Sequence, residues 1–221
     1  MALLHRAELR PTKLELLAAW LPGRDWYQDP GAGELTRVAA YRFDDPAGQV
    51  GIETFLVRPG DGPVYQVPLT YRGAPLVGAE QWLIDTVEHS VLGRRWVYDG
   101  CGDPVYVAAL ASAIVADTGQ ATEFIEVDGE LVGRAPSMEI TSTGTAGVDV
   151  PVIGTIRRVI SGDRTVIGTD TVELTVLRRL GTAQLTGDAV LTGAWAGQPD
   201  PIPLAHATST TRILPAASTG Q

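Results

Sequence analysis

Apolar positions along the chain follow two rhythms. Over 65–71 the residues Tyr65, Val67, Leu69 and Tyr71 alternate with Gln66, Pro68 and Thr70, which predicts a strand with one buried face. Runs near 35–43 and 49–58 precede it, separated by Asp44-Asp45-Pro46-Ala47-Gly48 and Pro59-Gly60-Asp61-Gly62, so the three form an antiparallel meander. Pro68 has no amide proton and is expected on an edge strand or at a bulge. Leu14, Leu17, Ala18 and Leu21 recur at helical spacing instead. Thr12 and Glu15 stand before them in capping-box form, and Pro22-Gly23 stops the helix. Asp103-Pro104 predicts a second helix start, with Val107, Leu110, Ala111, Ile114 and Val115 on its apolar face and Gly119 as its C-terminal glycine.

Around these lie a short first strand over 2–9, a loop over 24–34, a short helix over 79–91 and an extended stretch at 94–98. Phe124 to Val127 and Glu130 to Val132 flank Asp128-Gly129, the pattern of a hairpin with a type I′ turn. Beyond a wide turn at 144–151 the helical signals stop, and strands are predicted near 137–143, 152–160, 164–168, 171–180, 188–196 and 201–207. The predicted class is α+β, with one unit over 1–135, a β-rich unit over 136–207 and a loose tail over 208–221.

Composition narrows the function classes. The 221 residues carry a formal charge of -9 at pH 7, which argues against nucleic acid or an anionic membrane as partner. No apolar run is long enough to span a bilayer, and residues 1–20 are too charged for a signal peptide, so the cytoplasm is expected. Cys101 stands alone, and His5, His89 and His206 have no partner at metal spacing, so no disulfide, metal or cofactor is expected. Nucleotide-binding glycine motifs and the Gly-x-Ser-x-Gly elbow are absent from the sequence. The 25 glycines and 15 prolines suit many short strands joined by turns.

The segment from Gly93 to Asp103 holds the densest chemistry. Arg94 and Arg95 offer planar forks, Trp96 a stacking face, and Asp99 a carboxylate, which together suit an anion or sugar site. The competing reading pairs an arginine with Asp99 and packs Trp96 in the core. On a strand Arg94 and Trp96 share a face, with Arg95 on the other, held by an internal carboxylate. Glu88-His89 has the composition of an acid/base pair, but the structural reading of His89 is preferred. The doublets Arg157-Arg158 and Arg178-Arg179 are read as stems over apolar surface with heads in water. Cys101, beside a helix start but without a base, is read as an incidental thiol.

Glu88 to Asp99, followed by Gly102-Asp103-Pro104-Val105-Tyr106, resembles the N-terminal cap domain of actinobacterial maltokinases and short free-standing proteins related to it. Pro11 to Leu21 and Tyr41 to Pro46 fit the same pattern, and the resemblance extends over roughly 1–205. It implies a cystatin-like curved sheet followed by a β-rich subdomain like a kinase N-lobe. Residues 164–180 resemble the hairpin that covers nucleotide phosphates, and the family's phosphate-holding lysine falls at Thr175. A neutral hydroxyl cannot serve as that clamp. The family's catalytic lobe has no counterpart in these residues, so the chain alone is not expected to transfer phosphate.

The resemblance therefore implies a non-catalytic accessory or interaction module near glycogen, maltose or trehalose metabolism, with another protein chain or a sugar or phosphosugar as partner. Two rival readings are a small-molecule protein using Arg94, Trp96 and Asp99, and the N-terminal part of a split kinase completed by a separate chain.

Overall fold

A computed structural model describes residues 2–4, 9–28, 31–127, 130–150, 152–181 and 187–210. The chain begins with β1 (Ala2–Leu4), β2 (Leu9–Arg10) and α1 (Lys13–Trp20). It continues through β3 (Leu35–Phe43), β4 (Gly51–Pro59), β5 (Tyr65–Arg72), β6 (Leu83–His89) and β7 (Gly93–Asp99) to α2 (Pro104–Val115). The hairpin β8 (Glu123–Val127) and β9 (Glu130–Arg134) follows, then β10 (Met138–Ser142), β11 (Arg158–Ser161), β12 (Arg164–Gly168), β13 (Val172–Leu177), β14 (Ala189–Trp195) and β15 (Gln198–Ser209).

Three sheets result. A six-stranded sheet has the order β2-β6-β7-β5-β4-β3, a second has β10-β14-β15-β13-β12-β11, and β1-β8-β9 form a small third. The predicted meander forms, with Phe55 opposite Val67 and Ile52 opposite Thr70. Pro68 is not on an edge, because β5 lies between β4 and β7. Pairing with β7 begins only at Leu69, so Pro68 sits just outside that ladder, where its missing amide proton costs nothing.

Two apolar layers lie against the first sheet. On one face Leu16 and Leu17 of α1, with Leu21 and Trp26, cover Phe55, Val57, Tyr65, Val67, Leu69 and Val97. On the other face α2 packs against β3 and also against β10, β14 and β15 of the second sheet. That double contact explains why α2 is apolar nearly all round, with Tyr106, Val107, Leu110, Ala111, Ala113 and Ile114 buried. One continuous cluster runs from Tyr41 and Ile52 through Leu110 to Leu174, Leu191 and Leu204.

Several local expectations change. Residues 79–91 form a one-turn helix at Glu80–Trp82 and then β6, because β7 offers an antiparallel partner from Leu83 to His89, with a register shift between Leu83 and Asp85. The second helix ends at Val115, before Gly119, and Asp117 takes the left-handed φ of 47° just beyond it. Thr208 and Ser209, placed in the tail, belong to β15 and pair with Glu173 and Val172. The turn expected at Asp128-Gly129, the middle of the first strand over 5–8 and the tail over 211–221 lie outside the described residues. Among the described residues no helix is long and apolar enough to cross a membrane.

Candidate functional site

The structure separates the three residues picked out near the end of the first sheet. Arg94 and Trp96 lie on one face of β7, and Asp99 on the other. Arg94 is exposed, and its Nε donates to Glu88 Oε1 at 2.7 Å across the β6–β7 ladder. Trp96 is half-buried between Thr86 and Arg72 on the adjoining strands. Arg95 donates to the Leu92 carbonyl, where an internal carboxylate was expected. His89 Nδ1 accepts the Val91 and Leu92 amide protons at 3.2 and 3.0 Å, which closes the β6–β7 turn.

Asp99 points inward and is 2% exposed. Its Oδ2 accepts from an Arg178 terminal nitrogen at 2.6 Å, and its Oδ1 accepts the Cys101 amide proton at 3.1 Å. Arg178 is fully buried, which overturns its reading as a stem with a solvated head. Its Nε donates to Thr165 Oγ1 at 2.7 Å, and its guanidinium carbon lies 4.7 Å from the Trp26 ring centre. Burial opposes the charge, and the Asp99 carboxylate more than offsets that, so Arg178 is held above its ordinary pKa. Arg157 and Arg158 do keep exposed heads, paired with Asp170 and Glu173.

Asp103 is the predicted cap and more. Its Oδ1 accepts the Val105 amide proton at 2.9 Å, while Arg72 grips both oxygens at 2.6 Å and Thr70 Oγ1 donates at 2.7 Å. Cys101 stands between Asp99 and Asp103 in the chain and is fully buried. Burial pushes its thiol up, against the pull of Arg178 and with the Asp99 charge adding to it, so the thiolate is disfavoured at neutral pH. Thr175 stands in β13 between Val166 and His206 and is 4% exposed. His206 is held below its ordinary pKa by burial and by Arg164.

A second constellation was not predicted. An open groove of about 1020 Å³ runs beside the start of α1, lined by Leu9, Pro11, Lys13, Leu14, Arg37 and Phe55 among others. Its position follows from the capping box: Glu15 accepts from the Thr12 amide at 2.8 Å and hydroxyl at 2.7 Å, which fixes the first turn and turns Lys13 onto the sheet. Lys13 is ion-paired with Glu53 and lies 5.3 and 5.2 Å from the Phe55 and Tyr71 ring centres. Arg42 donates to the other Glu53 oxygen at 2.8 Å and stands 3.5 Å from Glu123. Burial pushes the Lys13 ammonium down, and Glu53 only partly restores it. Burial pushes the Glu53 carboxyl up, but Lys13 and Arg42 outweigh it, so Glu53 is held below its ordinary value. The signal in the sequence was a single lysine among 17 basic residues. Among the described residues no three His, Cys, Asp or Glu gather as a metal site would need.

Residues 20–103 match the family model described as the maltokinase N-terminal cap domain. The match begins at the end of α1, spans the six-stranded sheet from β3 to β7, and stops at the Asp103 cap. Over that stretch the chain resembles a maltokinase cap. No curated protein matches the chain.

Proposed function

We propose that this cap-like chain is a non-catalytic accessory module related to sugar-kinase caps, acting in the cytoplasm beside glycogen, maltose or trehalose metabolism. The observation that carries this reading is Thr175. The resemblance over 164–180 puts a phosphate-holding lysine at that position, and the chain has a buried neutral residue there, in the ladder between Val166 and His206. Phosphoryl transfer rests on cationic and metal groups that neutralise developing charge, and a threonine hydroxyl supplies none. The acceptors that the resemblance implies are maltose and related sugars, so the test uses ATP, magnesium and maltose or glucosamine with the purified chain. The expected result is no transfer above background. Turnover that survives repurification and disappears in Thr175→Val would overturn the proposal.

A second reading, a sugar or phosphosugar site at Arg94 and Trp96, is favoured by their shared face and by the exposure of Arg94. It excludes Asp99, which faces Arg178.

A further inference from the structure

The edge of a sheet presents a row of main-chain donors and acceptors that invites another strand unless something covers it. At β3 the Ser137 hydroxyl donates to the Ala40 carbonyl and accepts the Ala40 amide proton, both at 2.9 Å, and the Ala121 amide donates to the Arg42 carbonyl at 2.9 Å. At β10 the Gln120 side chain bridges the Met138 carbonyl and the Ile140 amide, and Asp117 accepts from the Ser142 amide. The edge at β9 is different. It is the outer strand of the small sheet β1-β8-β9, and all five of its residues, from Glu130 to Arg134, are exposed. Leu131 is 51% exposed and Val132 45%, so both faces of the strand offer apolar surface.

We propose that β9 pairs with β9 of a second copy of this chain, antiparallel about a two-fold axis at Val132. The strand is complementary to itself under that operation. Val132 meets the same residue of the other copy, Leu131 meets Gly133, and Glu130 meets Arg134 at both ends. Glu130, Val132 and Arg134 share a face, so two ion pairs flank a valine contact. On the other face each leucine lies beside a glycine that leaves it room. Antiparallel neighbours must match in face, so the axis falls on a residue, and at Leu131 or Gly133 it would set Glu130 or Arg134 against Val132. The edge strand β11 lacks this symmetry, since an axis at Val159 or Ile160 sets Arg158 against Ile160 or Gly162. Arg134 also stands 3.7 Å from Glu123 across the β8–β9 ladder, yet 43% of its side chain remains exposed to a second carboxylate. Pairing joins two three-stranded sheets into one of six strands, the size of the other two sheets. Five residues a side make a small interface, so the association is weak. It goes beyond the accessory role proposed above and does not depend on it.

Sedimentation velocity of the full chain from about 10 μM to about 1 mM should show a monomer–dimer equilibrium. Glu130→Arg sets like charges opposite each other and should weaken dimerisation about tenfold, as should Arg134→Glu. An equimolar mixture of the two variants should associate as the wild type does, because each supplies the charge the other lacks. Val132→Cys reads the axis directly. The two substituted positions come to a Cα separation of about 4.5–5.5 Å, within disulfide range, so they should cross-link in a glutathione redox buffer. Val77→Cys, at a loop position that is 92% exposed, should not, and the native Cys101 is fully buried. Melting temperatures identify a variant that fails to fold; if Arg134→Glu does so, being opposite Glu123, the cross-linking decides. A chain that stays monomeric at about 1 mM, a dimer that Glu130→Arg leaves intact, or cross-linking no faster than that of Val77→Cys overturns the proposal. So does a monomer whose Leu131 and Gly133 amides both resist hydrogen exchange, because another segment of the same chain then covers the edge.

Discussion

Arg178 brings a full charge to a place without solvent, and its neighbours show how that is tolerated. One nitrogen meets Asp99, another meets Thr165, and the face of the guanidinium lies over Trp26. Removing the cation leaves Asp99 buried and uncompensated, so Arg178→Ala should cost about 3–5 kcal/mol by urea denaturation. The double variant Arg178→Met with Asp99→Leu should recover most of that loss, because an apolar pair of similar volume avoids the desolvation penalty. A single-variant loss under about 1 kcal/mol would show the pair to be dispensable, as exposed pairs are. The alternation in the sequence already contained half of this arrangement. Val172, Leu174 and Val176 are buried, and the same period continued reaches Arg178. What sequence could not give is the partner, since Asp99 is 79 residues away along the chain. Asp103 shows the same division: its cap was legible from the following proline, while its grip on Arg72 and Thr70 depends on the register of β5 against the helix start.

Elements were legible where one period dominated. The capping box, the β3–β5 meander and the start of α2 carry their own local signals, and each forms where those signals stand. Residues 79–91 did not have one. Trp82, Leu83, Ile84 and Val87 fit a short helix as well as a strand, and the long pairing with β7 decides for the strand. The entry to that strand is fixed by contact rather than propensity. Trp82 lies against Gly102, where an added Cβ would fall 2.1 Å from the Trp82 Cγ. Gly102 has no left-handed φ, so the requirement is for space alone. Gly102→Ala should therefore cost about 1–3 kcal/mol through displacement of the indole. Tryptophan emission should change with it, and Trp82→Ala combined with Gly102→Ala should show non-additivity. Additive costs would mean that the two residues do not constrain each other. The groove escaped a reading by elements altogether, because its walls come from β2, α1, β3 and β4 and its chemistry from their junction.

At the scale of the whole molecule, the two six-stranded sheets share one apolar cluster through α2, and Arg178 ties the second sheet to Asp99 of the first. Such a molecule is expected to unfold in one transition, and its response to acid follows from groups on both sheets. In the first sheet, burial raises the Glu53 carboxyl, but Lys13 and Arg42 bring it below its ordinary value. Burial also raises Asp45, yet the Val50, Gln49 and Ala47 amides together outweigh it and hold the carboxyl below its ordinary value. Beside the second sheet, the Thr155 amide and Arg157 hold Asp170 down. A carboxyl with a depressed folded-state pKa stabilises above the unfolded value, and that contribution is lost as pH falls through the folded one. His206 has the opposite charge type but the same sign of effect. Burial, then Arg164, lowers its pKa, so below the ordinary value of 6.5 the unfolded chain binds a proton that the folded chain does not. Stability should thus decline in two steps on acidification. A shallow step begins near pH 6.5, and a steeper one begins below about pH 4.5 as unfolded carboxyls take up protons. His206→Gln should remove the shallow step and leave the steep one, while Glu53→Gln should weaken the steep one and lower stability at neutral pH by stranding Lys13 and leaving Arg42 with Glu123 alone. Melting curves from pH 8 to pH 3, followed by both far-ultraviolet circular dichroism and tryptophan emission, read these outcomes. Coincident transitions at each pH would support the shared core, and two separated transitions would show that the sheets melt independently.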